Sequence, residues 1–209
     1  MKTGIIDYGA GNLRSVHKAV ETLNFAAQIV HQPSELEAVD TLILPGVGAF
    51  GDCVENLQKQ ELWEPIRAWV KEGKPYLGIC LGYQILFESS EESPGVDGLG
   101  VLGGSVVRFP KSDLKVPHMG WNEIQPVDPA DPLWKGLPPH PHVYFVHSFY
   151  PKPDESEIVA STADYGLQFA SSIRKGNVVA TQFHPEKSQK LGLQILGNFL
   201  ESTAAALTV

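Results

Sequence analysis

The stretch PYLGICLGY, residues 75–83, decides the fold. It begins as a short apolar run and passes at Cys80 into residues 81–88, whose apolar spacing is helical, so it predicts a buried strand followed at once by a helix. Gly78 and Gly82 stand two residues on either side of the cysteine and leave room for a tight turn. This pattern is typical of a nucleophile held on a strained strand-to-helix turn. A helix that starts beyond Cys80 also favours the thiolate and leaves a backbone N–H free.

Apolar runs and amphipathic stretches alternate through the first half of the chain. This alternation implies βαβ units and a parallel sheet with helices on both faces. The second half is richer in strands and closes with an amphipathic helix. We expect an α/β fold in one domain over 1–209: a three-layer sandwich with a mostly parallel central sheet and extra antiparallel strands. The predicted strands are 3–7, 26–30, 41–45, 75–80, 104–109, 142–149, 157–162, 168–176 and 177–183. The predicted helices are 12–23, 49–72 with a break near Pro65, 81–88 and 188–206, with a surface loop at 89–100.

Composition and charge exclude several classes of function. The 209 residues carry a formal net charge of −8, and 19% of them are charged, which argues against a nucleic-acid surface. No apolar run approaches the roughly 18 residues of a membrane span, and the first residues lack the pattern of a signal peptide. With two cysteines, Cys53 and Cys80, we expect a cytoplasmic protein whose thiols are reduced. The histidines and cysteines lack metal-ligand spacing, so we expect no metal.

A second motif supplies a base for the cysteine. The tripeptide His184-Pro185-Glu186 follows an apolar strand, which the proline ends. Residues two apart on an extended chain share a side, so Glu186 can hold the ring of His184 as in a catalytic triad. Taken alone, the tripeptide fits a plain strand exit with two surface polar groups equally well.

GICLGYQ (78–84) and QFHPE (182–186) together resemble the class I, triad-type glutamine amidotransferases. The resemblance implies a flavodoxin-like sheet, L-glutamine as substrate and no cofactor. It implies Cys80 as nucleophile, His184 as general acid and base, and Glu186 as the group that orients the histidine.

Four further segments are similar to the glutaminase subunits of imidazole glycerol phosphate synthases, which act in histidine biosynthesis. These segments are DYGAGNLRSV (7–16), LPGVGAF (44–50), VPHMGWN (116–122) and YFVHSFY (144–150). The similarity implies a heterodimer with a cyclase subunit of the (β/α)8 barrel type. That partner would receive the ammonia and form imidazole glycerol phosphate and an aminoimidazole carboxamide ribotide.

The resemblance also implies further site residues. The backbone N–H groups of Val47 and Leu81 would form the oxyanion hole. The glutamine would contact Gly46, Gln84, Ser148 and Phe149, whereas Tyr144 and His147, in a Tyr-rich strand, fit the core better than the site. The loop that faces the partner would carry His118, Met119 and Trp121, and Gly9-Ala10-Gly11 with Asn12 and Arg14 would lie near it.

Three alternatives remain open from the sequence. One is a related glutaminase that feeds another synthase, such as that of pyridoxal phosphate. The second is a cysteine peptidase or other hydrolase on a similar turn. The third is a binding subunit with a vestigial site.

Overall fold

A computed structural model describes residues 1–9 and 12–207. Its strands are β1 (Lys2–Ile6), β2 (Ala26–Val30), β3 (Thr41–Gly46), β4 (Tyr76–Cys80), β5 (Ser89–Ser90), β6 (Gly104–Arg108), β7 (His118–Glu123), β8 (Gln125–Pro126), β9 (His142–His147), β10 (Phe149–Pro153), β11 (Val159–Asp164), β12 (Gln168–Lys175) and β13 (Val178–Thr181). Its α-helices are α1 (Leu13–Thr22), α2 (Phe50–Lys59), α3 (Trp63–Lys71), α4 (Leu81–Gln84) and α5 (Gln189–Ala206). None of these helices is long and apolar enough to cross a bilayer.

Within this part of the chain, an eight-stranded sheet in the order β2-β1-β3-β4-β13-β12-β11-β8 forms the middle layer. The strands from β2 to β13 run parallel, whereas β12, β11 and β8 each pair antiparallel with the preceding strand in this order. The predicted α/β fold, with a mostly parallel sheet and extra antiparallel strands, is therefore confirmed. Because β3, β4 and β13 are neighbours and parallel, their carboxyl ends meet at one edge, where open α/β sheets bind ligands.

The sheet has an apolar core on each face. Successive side chains of a strand point to opposite faces, and both faces of these strands are buried. On one face Ile5 and Ile43 pack with the apolar residues of α1 and α5. On the other, Ile6 and Leu44 pack with those of α2 and α3. The helices therefore form the two outer layers of the predicted sandwich.

Two small sheets cover the carboxyl edge of the large one. One has the order β10-β6-β5, and the other pairs β7 antiparallel with β9. The prediction that His118–Trp121 form a loop is wrong, because pairing with β9 extends this segment into a strand. The segment has no run of β-branched residues, so its strand comes from tertiary pairing and not from local propensity. Residues 89–100 likewise include the short strand β5, which pairs with β6.

Two helix predictions need correction. The break between α2 and α3 lies at residues 60–62, where Glu61 takes a positive φ of 59°. Pro65 instead occupies the first turn of α3, where its missing N–H has no helical carbonyl to bind. The helix predicted over 81–88 ends at Gln84, so the turn that follows Cys80 is a single one. The dipole of such a short helix stabilises negative charge on Cys80 less than a helix over 81–88 would.

The backbone of α4 crosses β3 at very short range. A Cβ atom added at Gly82 would lie 1.9 Å from the carbonyl oxygen of Leu44. One added at Gly78 would lie 2.4 Å from the carbonyl oxygen of Gly82. Because backbone atoms supply these contacts, no side-chain movement relieves them. Both positions therefore require glycine.

Gly82→Ala should destabilise the protein by at least about 3 kcal/mol, since overpacking against backbone forces strands apart. Gly197→Ala, within α5, is the matched control, because its Cβ would lie 3.4 Å from a side-chain carbon of Leu23, an ordinary contact. The control should be neutral or stabilise by up to about 1 kcal/mol. Urea unfolding followed by circular dichroism measures both. Equal midpoints for Gly82→Ala and the unsubstituted protein would contradict the close crossing.

Candidate active site

Cys80 sits on a strained turn at the end of β4. Its φ of 54° and ψ of −101° lie in a region that non-glycine residues rarely adopt. Such strain costs on the order of 1–3 kcal/mol and persists only where the surroundings impose it. The crossing of Gly82 over β3 is what imposes it here. Cys80 also pairs in register with Gly46 of β3, so the segment Gly46–Gly48 lies directly beside the thiol.

His184 and Glu186 form a buried pair just beyond β13. The Nδ1 atom of His184 lies 2.9 Å from Oε1 of Glu186, and their side chains are 2% and 1% exposed. A carboxylate only accepts hydrogen bonds, so Nδ1 is the donor and Nε2 points away from the pair. The backbone N–H of His184 donates to the carbonyl of Tyr144 at 3.0 Å, and Ser188 Oγ donates to the His184 carbonyl at 2.6 Å. The strand exit thus holds the ring in one orientation.

The charges around His184 favour its protonated form. Burial by itself lowers the pKa of His184, but the negative charge of the nearby Cys80, and then the hydrogen bond and charge of Glu186, raise it to about 10. Within the described chain, Nε2 has no partner at ordinary hydrogen-bond distance. The raised pKa of His184 means that its Nε2 carries a proton beside the cysteine at neutral pH.

A cavity of about 270 Å³ opens above Cys80. Of the residues that the resemblance implies for the site, Val47, Leu81, Gln84, Ser148 and Phe149 line this cavity. Gly46 lies behind it, where a Cβ atom would approach Tyr8 Oη at 2.5 Å. The Nε2 of Gln84 donates to the Phe149 carbonyl and to Gln182, both at 3.1 Å.

Sequence reasoning missed several residues of this cavity. Glu92 comes from the segment expected to be a surface loop, and its carboxylate accepts from the N–H of Phe50 at 2.8 Å. Lys187 follows the His-Pro-Glu tripeptide, and Val146 lies in β9. Adjacency to the tripeptide was a usable signal for Lys187, whereas nothing local marks Glu92.

The residues predicted to face a partner do not all lie on the surface. Met119 and Trp121 of β7 are 61% and 48% exposed, and Trp121 packs edge-on against Tyr144. His118 is 3% exposed and lies between the rings of Phe145 and Tyr165, so its assignment to the partner surface is wrong. Successive side chains of a strand point to opposite sides, so His118 is buried while its neighbour Met119 is exposed.

The other residues predicted to lie near the partner follow β1, at the beginning of α1. Asn12 is half-buried and Arg14 is exposed, while Ala10 and Gly11 fall outside the described residues. Among the described residues, no group of three or more His, Cys, Asp or Glu side chains could hold a metal ion.

Comparison with known proteins places this geometry in a family. The family described as Glutamine amidotransferase class-I matches residues 4–202. The imidazole glycerol phosphate synthase subunit HisH of Syntrophotalea carbinolica is 51% identical, over 93% of this chain and 97% of that protein. The HisH subunit of Geobacter metallireducens is 48% identical, over 96% of this chain and 98% of that protein. A crystal structure of a glutamine amidotransferase superposes with a TM-score of 0.75 at 22% identity, covering 97% and 98% of the two chains. PurLQS from Thermotoga maritima does so with a TM-score of 0.75 at 18% identity, covering 99% and 98%.

The buried histidines predict how stability depends on pH. Burial lowers the pKa of His118 from 6.5 to about 4 and that of His147 to about 3. Below pH 6.5 the unfolded chain therefore binds protons that the folded protein does not. The free energy of unfolding should fall as the pH drops from about 6.5 to 4, by up to about 1.4 kcal/mol per pH unit for each histidine.

Urea unfolding at a series of pH values measures this slope. It should be shallower in His118→Gln than in the unsubstituted protein. His142→Gln, which replaces an exposed histidine of the same strand pair, should keep the full slope. Identical slopes in all three proteins would show that His118 is not held neutral by burial.

Proposed function

The chain belongs to the class-I glutamine amidotransferases, and from that premise we propose that it is the glutaminase subunit of an imidazole glycerol phosphate synthase. It hydrolyses L-glutamine to glutamate and ammonia. One observation carries the proposal: Cys80 on its strained turn shares a buried site with the His184–Glu186 pair, beneath a cavity of about 270 Å³. The whole segment 1–209 acts as one glutamine amidotransferase domain, in the cytoplasm and without a cofactor.

The first half of the reaction forms a thioester. The thiolate of Cys80 attacks the side-chain carbonyl carbon of glutamine, and the carbonyl oxygen becomes an oxyanion. The backbone N–H groups of Val47 and Leu81 stabilise that oxyanion, since Gly46 and Cys80 are register partners and set the two segments side by side. Nε2 of His184 then gives its proton to the leaving nitrogen, and ammonia departs.

The second half releases glutamate. A water molecule gives a proton to the now neutral His184 and attacks the thioester carbon. The new tetrahedral intermediate collapses, the carbon–sulfur bond breaks, and the thiolate of Cys80 is restored beside an imidazolium. Glu186 accepts the Nδ1 hydrogen bond throughout, which fixes the tautomer and stabilises the charged ring. Gln84, Ser148 and Phe149 hold the substrate from the cavity wall.

The ammonia passes to a synthase subunit. The names of the relatives imply such a partner, and we propose a (β/α)8 barrel that forms a heterodimer with this chain. Its products would be imidazole glycerol phosphate and an aminoimidazole carboxamide ribotide. Met119 and Trp121 form the exposed apolar part of the docking surface, with Asn12 and Arg14 nearby in the expected interface.

Two alternatives lose support. A peptidase loses support because the family that matches residues 4–202 is described as Glutamine amidotransferase class-I. A glutaminase of another synthase would not be expected to share 48–51% identity with HisH subunits over nearly the whole chain.

Cys80→Ala should reduce glutamine hydrolysis to below about one-thousandth, because no other group replaces the nucleophile. Synthesis from free ammonia by the complex should be unaffected. Cys53→Ala is the matched control, since it removes the other free cysteine, buried in α2, and should retain hydrolysis. Glutamate release by the complex measures both. Full activity in Cys80→Ala would rule out the proposed nucleophile.

Trp121→Ala should weaken binding to the barrel subunit roughly 30-fold, the loss typical of a large aromatic residue at an interface centre. Val127→Ala is the control: Val127 is 61% exposed, lies outside β7, and its backbone N–H donates to the Ala160 carbonyl. The affinity of Val127→Ala for the barrel subunit should stay within about twofold of that of the unsubstituted chain. Titration calorimetry with the purified subunits gives both values. An unchanged affinity in Trp121→Ala would remove β7 from the interface.

A further inference from the structure

Gln182 is a buried side chain that contacts the nucleophile and that the mechanism above does not use. It lies between β13 and His184 and has no exposed surface. Its Nε2 lies 3.6 Å from Sγ of Cys80, within reach of a hydrogen bond to sulfur. Its Oε1 accepts from Nε2 of Gln84 at 3.1 Å. The backbone N–H of Gln182 donates to the Ser171 carbonyl at 2.8 Å, which holds the backbone that carries the side chain in place.

The orientation of the Gln182 amide follows from the hydrogen bonds around it. The oxygen and nitrogen of an amide are told apart by their partners, and a backbone carbonyl only accepts. Gln84 lies 3.1 Å from the Phe149 carbonyl, so it must present its nitrogen there. That nitrogen has a second hydrogen, which goes to Gln182. Gln182 must therefore present its oxygen to Gln84 and its N–H to the sulfur.

The Phe149 carbonyl is itself fixed from the other side. Nδ1 of His147 lies 2.8 Å from it and must be a donor, so Nε2 of the same ring accepts from Nδ1 of His118 at 3.0 Å. Nε2 of His118 then accepts from the Asn122 amide at 3.3 Å. Burial lowers the pKa of both rings, so both are neutral at physiological pH, as this pattern requires. One assignment of donors and acceptors therefore satisfies every hydrogen bond in the chain that runs from Asn122 to Cys80.

We propose that Gln182 is a further catalytic residue of this site, whose N–H donates to the Cys80 thiolate and holds it for attack on the glutamine amide. Gln84 and the Phe149 carbonyl position it. An N–H aimed at sulfur in a dry site stabilises the charged form over the neutral one. Gln182 itself gains or loses no proton in either half-reaction. The role rests on the proposed function, in which that thiolate is the nucleophile.

Alkylation of Cys80 by iodoacetamide tests the contact without glutamine. The measurement uses the full chain in a Cys53→Ala background, so one thiol remains. Gln182→Met keeps the length of the side chain and removes the donor. Gln182→Glu keeps the acceptor for Gln84 and turns a carboxylate oxygen toward sulfur. The titratable groups around the thiol, which stay in place in both variants, are Tyr8, Glu92, Lys187, His147 and His184 with its partner Glu186.

At pH values below the alkylation midpoint, Gln182→Met should slow alkylation by about tenfold, and Gln182→Glu by about 100-fold, the range expected when a charge-assisted hydrogen bond is removed or reversed. The pH at which alkylation is half-maximal should rise by about one unit or more. For the complex, kcat of glutamine hydrolysis should fall by similar factors while KM stays within about twofold. Gln194→Glu is the control, since it changes an amide that donates to Asn198 in α5 and should alter neither readout.

The outcomes separate this role from the proposed function. If Gln182→Met, folded by circular dichroism, alkylates at the control rate with the same pH midpoint, the role of Gln182 is overturned, even where glutamine turnover is normal. If alkylation slows and kcat falls with it, the role is supported. If the unsubstituted complex releases no glutamate, the proposed function fails and the catalytic role falls with it, whatever the alkylation rates show about the contact. Should Gln182→Glu not fold, Gln182→Met alone decides.

Discussion

The close crossing of Gly82 over the Leu44 carbonyl is the constraint on which the site depends. It leaves no space for a side chain and forces Cys80 into its positive-φ conformation at the end of β4. The same crossing presses α4 against β3, so that the segment after Gly46 borders the thiol. Strain of this kind is stable only because five parallel strands and the helices on both faces surround it. The rigid sheet thus supplies the geometry that the chemistry needs.

A second constraint is the need to satisfy polar groups that are buried around the cavity. An unpaired donor or acceptor in such a site costs about 1–3 kcal/mol, so arrangements that pair the groups of the cavity wall are favoured. The Phe149 carbonyl accepts from Gln84 on one side and His147 on the other. These bonds fix a ring tautomer and an amide orientation at once. They also connect the wall of the cavity above Cys80 to β7, the strand that carries exposed Trp121.

Local patterns in the sequence were enough to predict the parts of the site that depend on local geometry. Glycines two residues on either side of Cys80 predict its tight turn, and His184-Pro185-Glu186 places a carboxylate beside a ring at 2.9 Å. Long-range pairing was not predictable in this way. His118 lies inside because β7 pairs with β9, and a segment containing Met, Gly and Trp gives no strand signal of its own. Gln182 likewise meets Cys80 only through the adjacency of β13 and β4.

Trapping the covalent intermediate tests the role of Cys80 most directly. The complex is mixed with glutamine, quenched in acid within its first turnovers, digested and examined by mass spectrometry. We expect a γ-glutamyl adduct on the peptide that contains Cys80, none on the peptide that contains Cys53, and loss of the adduct on standing at neutral pH. Glutamate release without any adduct on Cys80 would contradict the central claim that this thiol is the nucleophile.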